Sequence, residues 1–215
     1  MSNELAENED WENDAKYEYY AHGPLARTEI GQNSLQGFDY FYTLQGWMKG
    51  INAMVTRNDP GNDGYFYPDD KYKSMNSHFG RDLSAFALTY NGTDYSAING
   101  EQVVPTVADG SDPDQNSSQL FNGNIRYMQT RLTNLLNRSS MPMLNAYQYN
   151  QLNRLKASRS YEDDFNETEW YPVSYGNKYF NAFTYDPMGN IETQVRHSRD
   201  GTQIDNLTLL LPRHT

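Results

Sequence analysis

The sequence predicts an all-β protein, a sheet of antiparallel hairpins laid side by side, and three observations carry that prediction. A nine-residue pattern, aromatic-x-Tyr-x-x-x-Gly-x-aliphatic, occurs four times, once with Asn in the Gly position. The apolar supply is aromatic: the 215 residues include 18 Tyr, 9 Phe and 3 Trp, a composition that suits a half-buried pleated surface. Leu, Ile, Val and Phe together number only 38, so a core must be built largely from aromatic rings. Finally, Asn, Asp, Gly and Pro clusters punctuate the chain as turn signals.

The four occurrences are YEYYAHGPL (17–25), YFYTLQGWM (40–48), YQYNQLNRL (147–155) and FTYDPMGNI (183–191). Aromatics at i and i+2 share one face of a strand. The following residues and a Gly or Asn make a turn that needs a left-handed backbone. The aliphatic residue two places on begins the return strand. In this reading Tyr19, Tyr42, Tyr149 and Tyr185 are wall residues, and Gly23, Gly46, Asn153 and Gly189 are turn residues. Asp186 caps its turn as Asx turns do, and Asn190 completes the Gly-Asn pair of the last unit. Successive first aromatics are 23, 107 and 36 residues apart, so the units recur with insertions and not at a fixed period. A single hairpin is marginal in water and must pair with its neighbours.

Residues 1–10 read as an acidic, solvated tail, 11–208 as one segment of sheet, and 209–215 as a C-terminal tail. Within the segment, 52–146 is a loop-rich insertion containing NDPGNDGYFYPDD and VADGSDPDQNSS. SAFALTY (84–90) reads as a strand followed by the turn NGTD. Asn122–Thr130 reads as another, with a helical turn after it on the spacing of Met128, Leu132 and Leu135. EDDFNETEWYP reads as a loop or an irregular edge.

The net charge of −11 gives no basic face for nucleic acid, which binds through displaced counterions. No stretch approaches the roughly 20 apolar residues of a membrane helix, so no membrane insertion is expected. The first residues lack a basic start and apolar run, hence no signal peptide is expected in this chain. Without cysteine there is no disulfide framework. His22, His78, His197 and His214 have no ligand spacing, and they read as turn or surface residues. Asp112, Asp114 and Asn116 alternate as in a calcium loop, but Ser117 and Gly123 replace its Gly and Glu, so loop 109–116 reads as surface. No nucleophile elbow, phosphate loop or dinucleotide fingerprint is present. No catalytic, metal or cofactor site is assigned.

The YDPMGNI stretch resembles the unit of the Rhs/YD-repeat superfamily, Tyr-Asp followed by Gly-Asn or Gly-Arg and an aliphatic residue. AKYEYYAHGPLARTEIG, QGFDYFYTLQGWMKGIN, FGRDLSAFALTYNGTDY, FNGNIRYM and YQYNQLNRL resemble successive blocks of the long YD-repeat proteins of Bacteroidota. The resemblance covers about residues 11–208. It implies YD-repeat hairpins in a twisted, curling antiparallel sheet, an incomplete piece of a β-shell. In complete members the shell spirals closed around a toxin domain; in animal teneurins related shells serve adhesion. This chain is shorter than a complete shell, lacks the self-cleavage aspartates of its end, and stops where members continue into further repeats. A fragment is therefore expected.

The functional expectation is a non-enzymatic structural segment, its parent an exported toxin-encapsulating carrier that is secreted or held at the cell surface. Expected partners are further YD-repeat segments or copies of itself, added through sheet edges, and a toxin cargo. The alternative is a cell-surface adhesion or carbohydrate-binding module that uses exposed Tyr and Trp, with Trp47 and Trp170 as candidates.

Overall fold

The computed structural model describes residues 14–54, 61, 63, 78–96, 120–133, 142–163, 170–172 and 177–209. Both expected tails fall mainly outside these residues, as do most of the insertion's loops and all of loop 109–116. The strands are β1 (Ala15–Tyr19), β2 (Leu25–Ile30), β3 (Gln36–Tyr42), β4 (Met48–Ile51), β5 (Ser84–Thr89) and β6 (Tyr127–Leu132). They continue with β7 (Met143–Tyr149), β8 (Leu155–Asp163), β9 (Trp170–Pro172), β10 (Asn181–Tyr185), β11 (Ile191–His197) and β12 (Gln203–Thr208). All pair antiparallel in one open sheet ordered β1 to β8 and then β10 to β12. No helix occurs among the described residues. The all-β antiparallel sheet read from the sequence is thus the fold.

Two expectations are corrected. Asn122–Arg126 is a bent approach, and the strand runs Tyr127–Leu132, past Thr130; Leu135, the last residue of the expected helical spacing, lies outside the described residues. The reason is period: Tyr127, Gln129 and Arg131 are all buried while their alternates are not, and this two-residue alternation overrides the helical spacing of Met128 and Leu132. The stretch from Glu162 is in part regular strand, since β8 runs to Asp163 and pairs with β9. On that same edge of β8, Ala157 and Ser158 pair with β10.

Alternation divides the sheet into two faces. One carries a row in direct register across six strands: Phe41, Gly50, Ala87, Gln129, Leu144 and Tyr161. All are buried, and chain following β4 helps to cover the row, with Ala53 and Met54 packed on Phe41, Ala85 and Ala87. Farther along, Tyr127, Leu144, Ala146 and Tyr161 form a second cluster. Each fully buried large apolar side chain here contributes about 1.5–3 kcal/mol relative to exposure.

This face is also unusually charged. The Arg27 guanidinium meets Asp39 at 2.8 Å, Asp63 at 2.7 Å and Glu29 at 3.1 Å, and lies 4.9 Å from the Phe79 ring centroid. Burial works to lower the Arg27 pKa, but the Asp63 and Asp39 carboxylates outweigh it and raise it. A Cβ on Gly37 would sit 2.2 Å from the guanidinium, so glycine there makes room for Arg27. Lys49 and Asp94 form a second buried pair at 2.8 Å, with side chains 0% and 1% exposed. Such pairs fix where the intervening loops cross the sheet, because losing one partner strands a buried charge.

The opposite face is apolar and open. Phe38, Tyr40, Ile51, Phe86, Met128 and Leu132 line a groove of about 510 Å³.

Candidate functional site

Turns in a meander alternate between the two ends of its strands. At one end lie the hairpin turns 20–24, 43–47, 150–154 and 186–190 and the long connection from β5 to β6. The four short turns share one hydrogen-bond plan. The first residue's N–H donates to the fifth residue's carbonyl, and the fourth residue's N–H donates back to the first carbonyl, at 2.8–3.1 Å. The fourth residues have positive φ: Gly23 at 111°, Gly46 at 83°, Asn153 at 60° and Gly189 at 96°. This is a type I turn closed by a left-handed residue in a bulge. The register shifts at the repeat tyrosine in every case, pairing Tyr19 with Leu25, Tyr42 with Met48, Tyr149 with Leu155 and Tyr185 with Ile191.

The first turn residue supplies an acceptor in three of the four. Asp186 Oδ1 receives the Asn190 N–H at 2.8 Å, and its Oδ2 receives the Asn190 side-chain amide at 2.9 Å. These bonds hold the Asp186 carboxyl below the usual range. Asn150 accepts from the Leu152 and Arg154 amides, and Thr43 accepts from the Trp47 amide at 3.1 Å. Asp, Asn and Thr thus do one job.

Successive hairpins are then tied by tyrosine. Tyr90 donates to the Met48 carbonyl at 2.8 Å, Tyr149 to Ile125 at 2.9 Å, and Tyr185 to Leu155 at 2.7 Å. Each acceptor is the aliphatic residue that follows a left-handed Gly or Asn by two places in the preceding hairpin. The residue between also reaches forward. The Trp47 ring lies 5.1 Å from Tyr90; the Arg154 guanidinium lies 4.7 Å from the Tyr185 ring and donates to the Asp186 carbonyl. Asn124 instead donates to the Asn153 side chain at 3.1 Å. A buried phenol needs such an acceptor. Burial raises the pKa of Tyr90 and Tyr149.

The first unit is built differently. Tyr19 is 64% exposed, and its neighbour Tyr20 turns inward, donating to the Tyr40 carbonyl at 2.8 Å and meeting the Tyr42 ring edge-on at 6.4 Å. Tyr20 and Tyr90, both members of the column, were not singled out by the nine-residue pattern. NGNI (122–125) carries the turn-and-aliphatic half of a unit, and that half marks Ile125 as an acceptor.

His22 stacks on Tyr20, His78 packs on Phe79 and His197 on Phe180; His214 lies outside the described residues. Among the described residues no His, Asp and Glu cluster has the form of a metal site. Trp47 is half-buried in the column, and the Trp170 side chain lies outside the description. No protein-family model matches this chain, and no curated protein matches it. The geometry defines a class by itself: an open antiparallel meander whose hairpins repeat one turn and are tied in sequence by tyrosine hydroxyls.

Proposed function

We propose that the chain is a non-enzymatic structural segment of a YD-repeat, Rhs-like shell, whose parent is an exported toxin-encapsulating carrier. The observation that carries this reading is the repeated tether from Tyr90, Tyr149 and Tyr185 to the preceding aliphatic carbonyl. A contact made identically between successive hairpins specifies addition of the next one, which is what a wall of repeats requires. The recurring elements of the site are spent on turn geometry and tethering, not on converging polar groups in a pocket. Further YD-repeat segments, or copies of this chain, are the partners that fit the open edges, with a toxin as cargo.

The test is single-particle imaging of the full product of the reading frame containing this sequence. A hollow shell with this sheet in its wall is expected, followed by a toxin domain. A product with no further repeat hairpins on either side would overturn the proposal.

A second reading is an adhesion or carbohydrate-binding module. It is favoured by Tyr17 and Phe121, which are 57% and 72% exposed. Glycan-array binding that is lost in Tyr17→Ala or Phe121→Ala, with the sheet intact, would support it over the shell.

A further inference from the structure

We infer that β1 is a pairing edge specific for the β1 of a second copy, in antiparallel register centred on Tyr17. The inference rests on the edge-pairing part of the function proposed above and not on the shell.

The backbone sets which groups are free. The Gly31 N–H donates to the Asp14 carbonyl at 2.9 Å, and β1 pairs Lys16 with Glu29 and Glu18 with Arg27. Antiparallel bonding alternates, so Asp14, Lys16 and Glu18 face β2. Ala15, Tyr17 and Tyr19 direct their N–H and C=O groups to the open side. Among the described residues no strand occupies that side.

A two-fold axis normal to the sheet through Tyr17 reverses the strand direction while keeping each face on its own side. It is an isologous contact that closes at two copies. Tyr17 then opposes Tyr17, and Ala15 opposes Tyr19; all of these are outward-facing positions, so the backbone bonds match. Lys16 opposes Glu18 of the copy, and Glu18 opposes Lys16, in the closer non-bonded pairs where side chains meet. Both side chains are exposed, 56% and 46%, and within one copy they bond each other at 2.5 Å, with Glu29 also 3.3 Å from Lys16; the two-fold would exchange that local pair for pairs across the axis. Tyr17 shares its face with Thr28 and Phe38, so the two apolar grooves would lie on the same side of one continuous sheet.

The other edge does not offer this. The Leu209 N–H donates to the Glu192 carbonyl, which leaves Ile204, Asn206 and Thr208 facing outward on β12 by the same alternation. A two-fold through Asn206 would set Asp205 against Leu207, a carboxylate opposite an apolar side chain with no charge to meet. Self-pairing therefore belongs to β1.

The experiment is sedimentation of the chain over a concentration series at low and high salt, with circular dichroism to check that the sheet persists. The wild type is expected to dimerise, more strongly as salt screens the net charge of −11 on each copy. Tyr17→Pro removes the central outward donor and no inward one, and it should leave a monomer. Lys16→Glu alone and Glu18→Lys alone should each weaken dimerisation about tenfold or more, by setting like charges opposite. Mixing these two variants should restore a dimer, since an all-acidic edge then meets an all-basic one, a recovery no folding defect would produce. A wild type that stays monomeric at all concentrations, or a dimer indifferent to all three changes, or a mixture that fails to recover, would overturn the inference. Any of those results would leave the shell proposal standing or falling on the imaging of the longer product.

Discussion

The Tyr185 hydroxyl lies 2.7 Å from the Leu155 carbonyl oxygen, joining the end of β10 to the start of β8 across the boundary between two hairpins. Tyr185→Phe keeps the ring under Arg154 and removes only this bond. A loss of about 1 kcal/mol is expected in urea denaturation, the net value of one such hydrogen bond. Tyr149→Phe should lose a similar amount. Tyr19→Phe, at an exposed position, should stay within about 0.5 kcal/mol of wild type. Three equal midpoints would mean that the tethers contribute nothing to stability.

The turns make a second prediction. Gly189 has φ 96°, where a Cβ is strained, so Gly189→Val should cost more than about 1 kcal/mol. Asn153 already occupies the left-handed region at φ 60°; Asn153→Gly relieves that position but loses the bonds its side chain accepts from Asn122 and Asn124, so it should cost less than Gly189→Val, within about 1 kcal/mol of wild type. Chemical denaturation of both variants checks the pair, and a Gly189→Val protein as stable as wild type would contradict the turn assignment.

The buried Lys49–Asp94 pair should respond to single and double changes in opposite ways. Lys49→Met leaves the Asp94 carboxylate buried without its cation, and a loss of about 3–5 kcal/mol is expected. Lys49→Met with Asp94→Asn removes both charges while keeping an acceptor for the Tyr90 N–H, and should recover most of that loss. The thermal midpoints of the three proteins report the difference, and a double variant no better than the single would point to packing instead of charge.

Stability should fall at alkaline pH through the tyrosines. Burial raises the pKa of Tyr20, Tyr42, Tyr90, Tyr95, Tyr147 and Tyr149. A phenol with a raised folded pKa stabilises the fold below its unfolded value of about 10 and loses that contribution as pH rises through the folded value. Lys49 works against this trend. Burial lowers its pKa, so the unfolded chain holds the proton longer and stability through Lys49 rises with pH until about 10.5. Above about pH 10.5 Lys49 adds nothing further and the tyrosines alone set the trend, so unfolding should accompany tyrosinate absorbance there. Tyrosinate formation with no loss of the sheet would contradict this.

What could be read from the sequence was whatever is fixed by local backbone chemistry. Gly23, Gly46, Asn153 and Gly189 stood out because a left-handed position selects Gly or Asn and follows an aromatic strand at a constant distance. Asp186 stood out as an Asx residue at the head of its turn, though Asn150 and Thr43 fill the same place. Interactions between hairpins were hidden. Nothing near Tyr90 indicates that its hydroxyl reaches Met48, and while Arg27 and Asp39 are register partners on neighbouring strands, Asp63 joins them from far along the chain, after β4. Lys49 looks like a surface lysine, since the extra residue of a bulge is what turns it inward. Tyr19 passed for the wall residue because Tyr20 beside it is chemically identical, and the choice between them depends on where the chain enters the turn.

The order of the strands has a consequence for how the protein is made. From β1 to β8 each strand pairs with the one before it in the chain, and β10 to β12 resume the same rule. No later strand must be threaded between two earlier ones. Each hairpin leaving the ribosome can dock on a finished edge, and an incomplete chain is a shorter sheet of the same kind, without a tangle to undo. Low sequence separation between paired strands also favours fast folding. The delays would fall at the long connections before β5 and before β6, where the growing edge must wait for its next strand while many residues are synthesised.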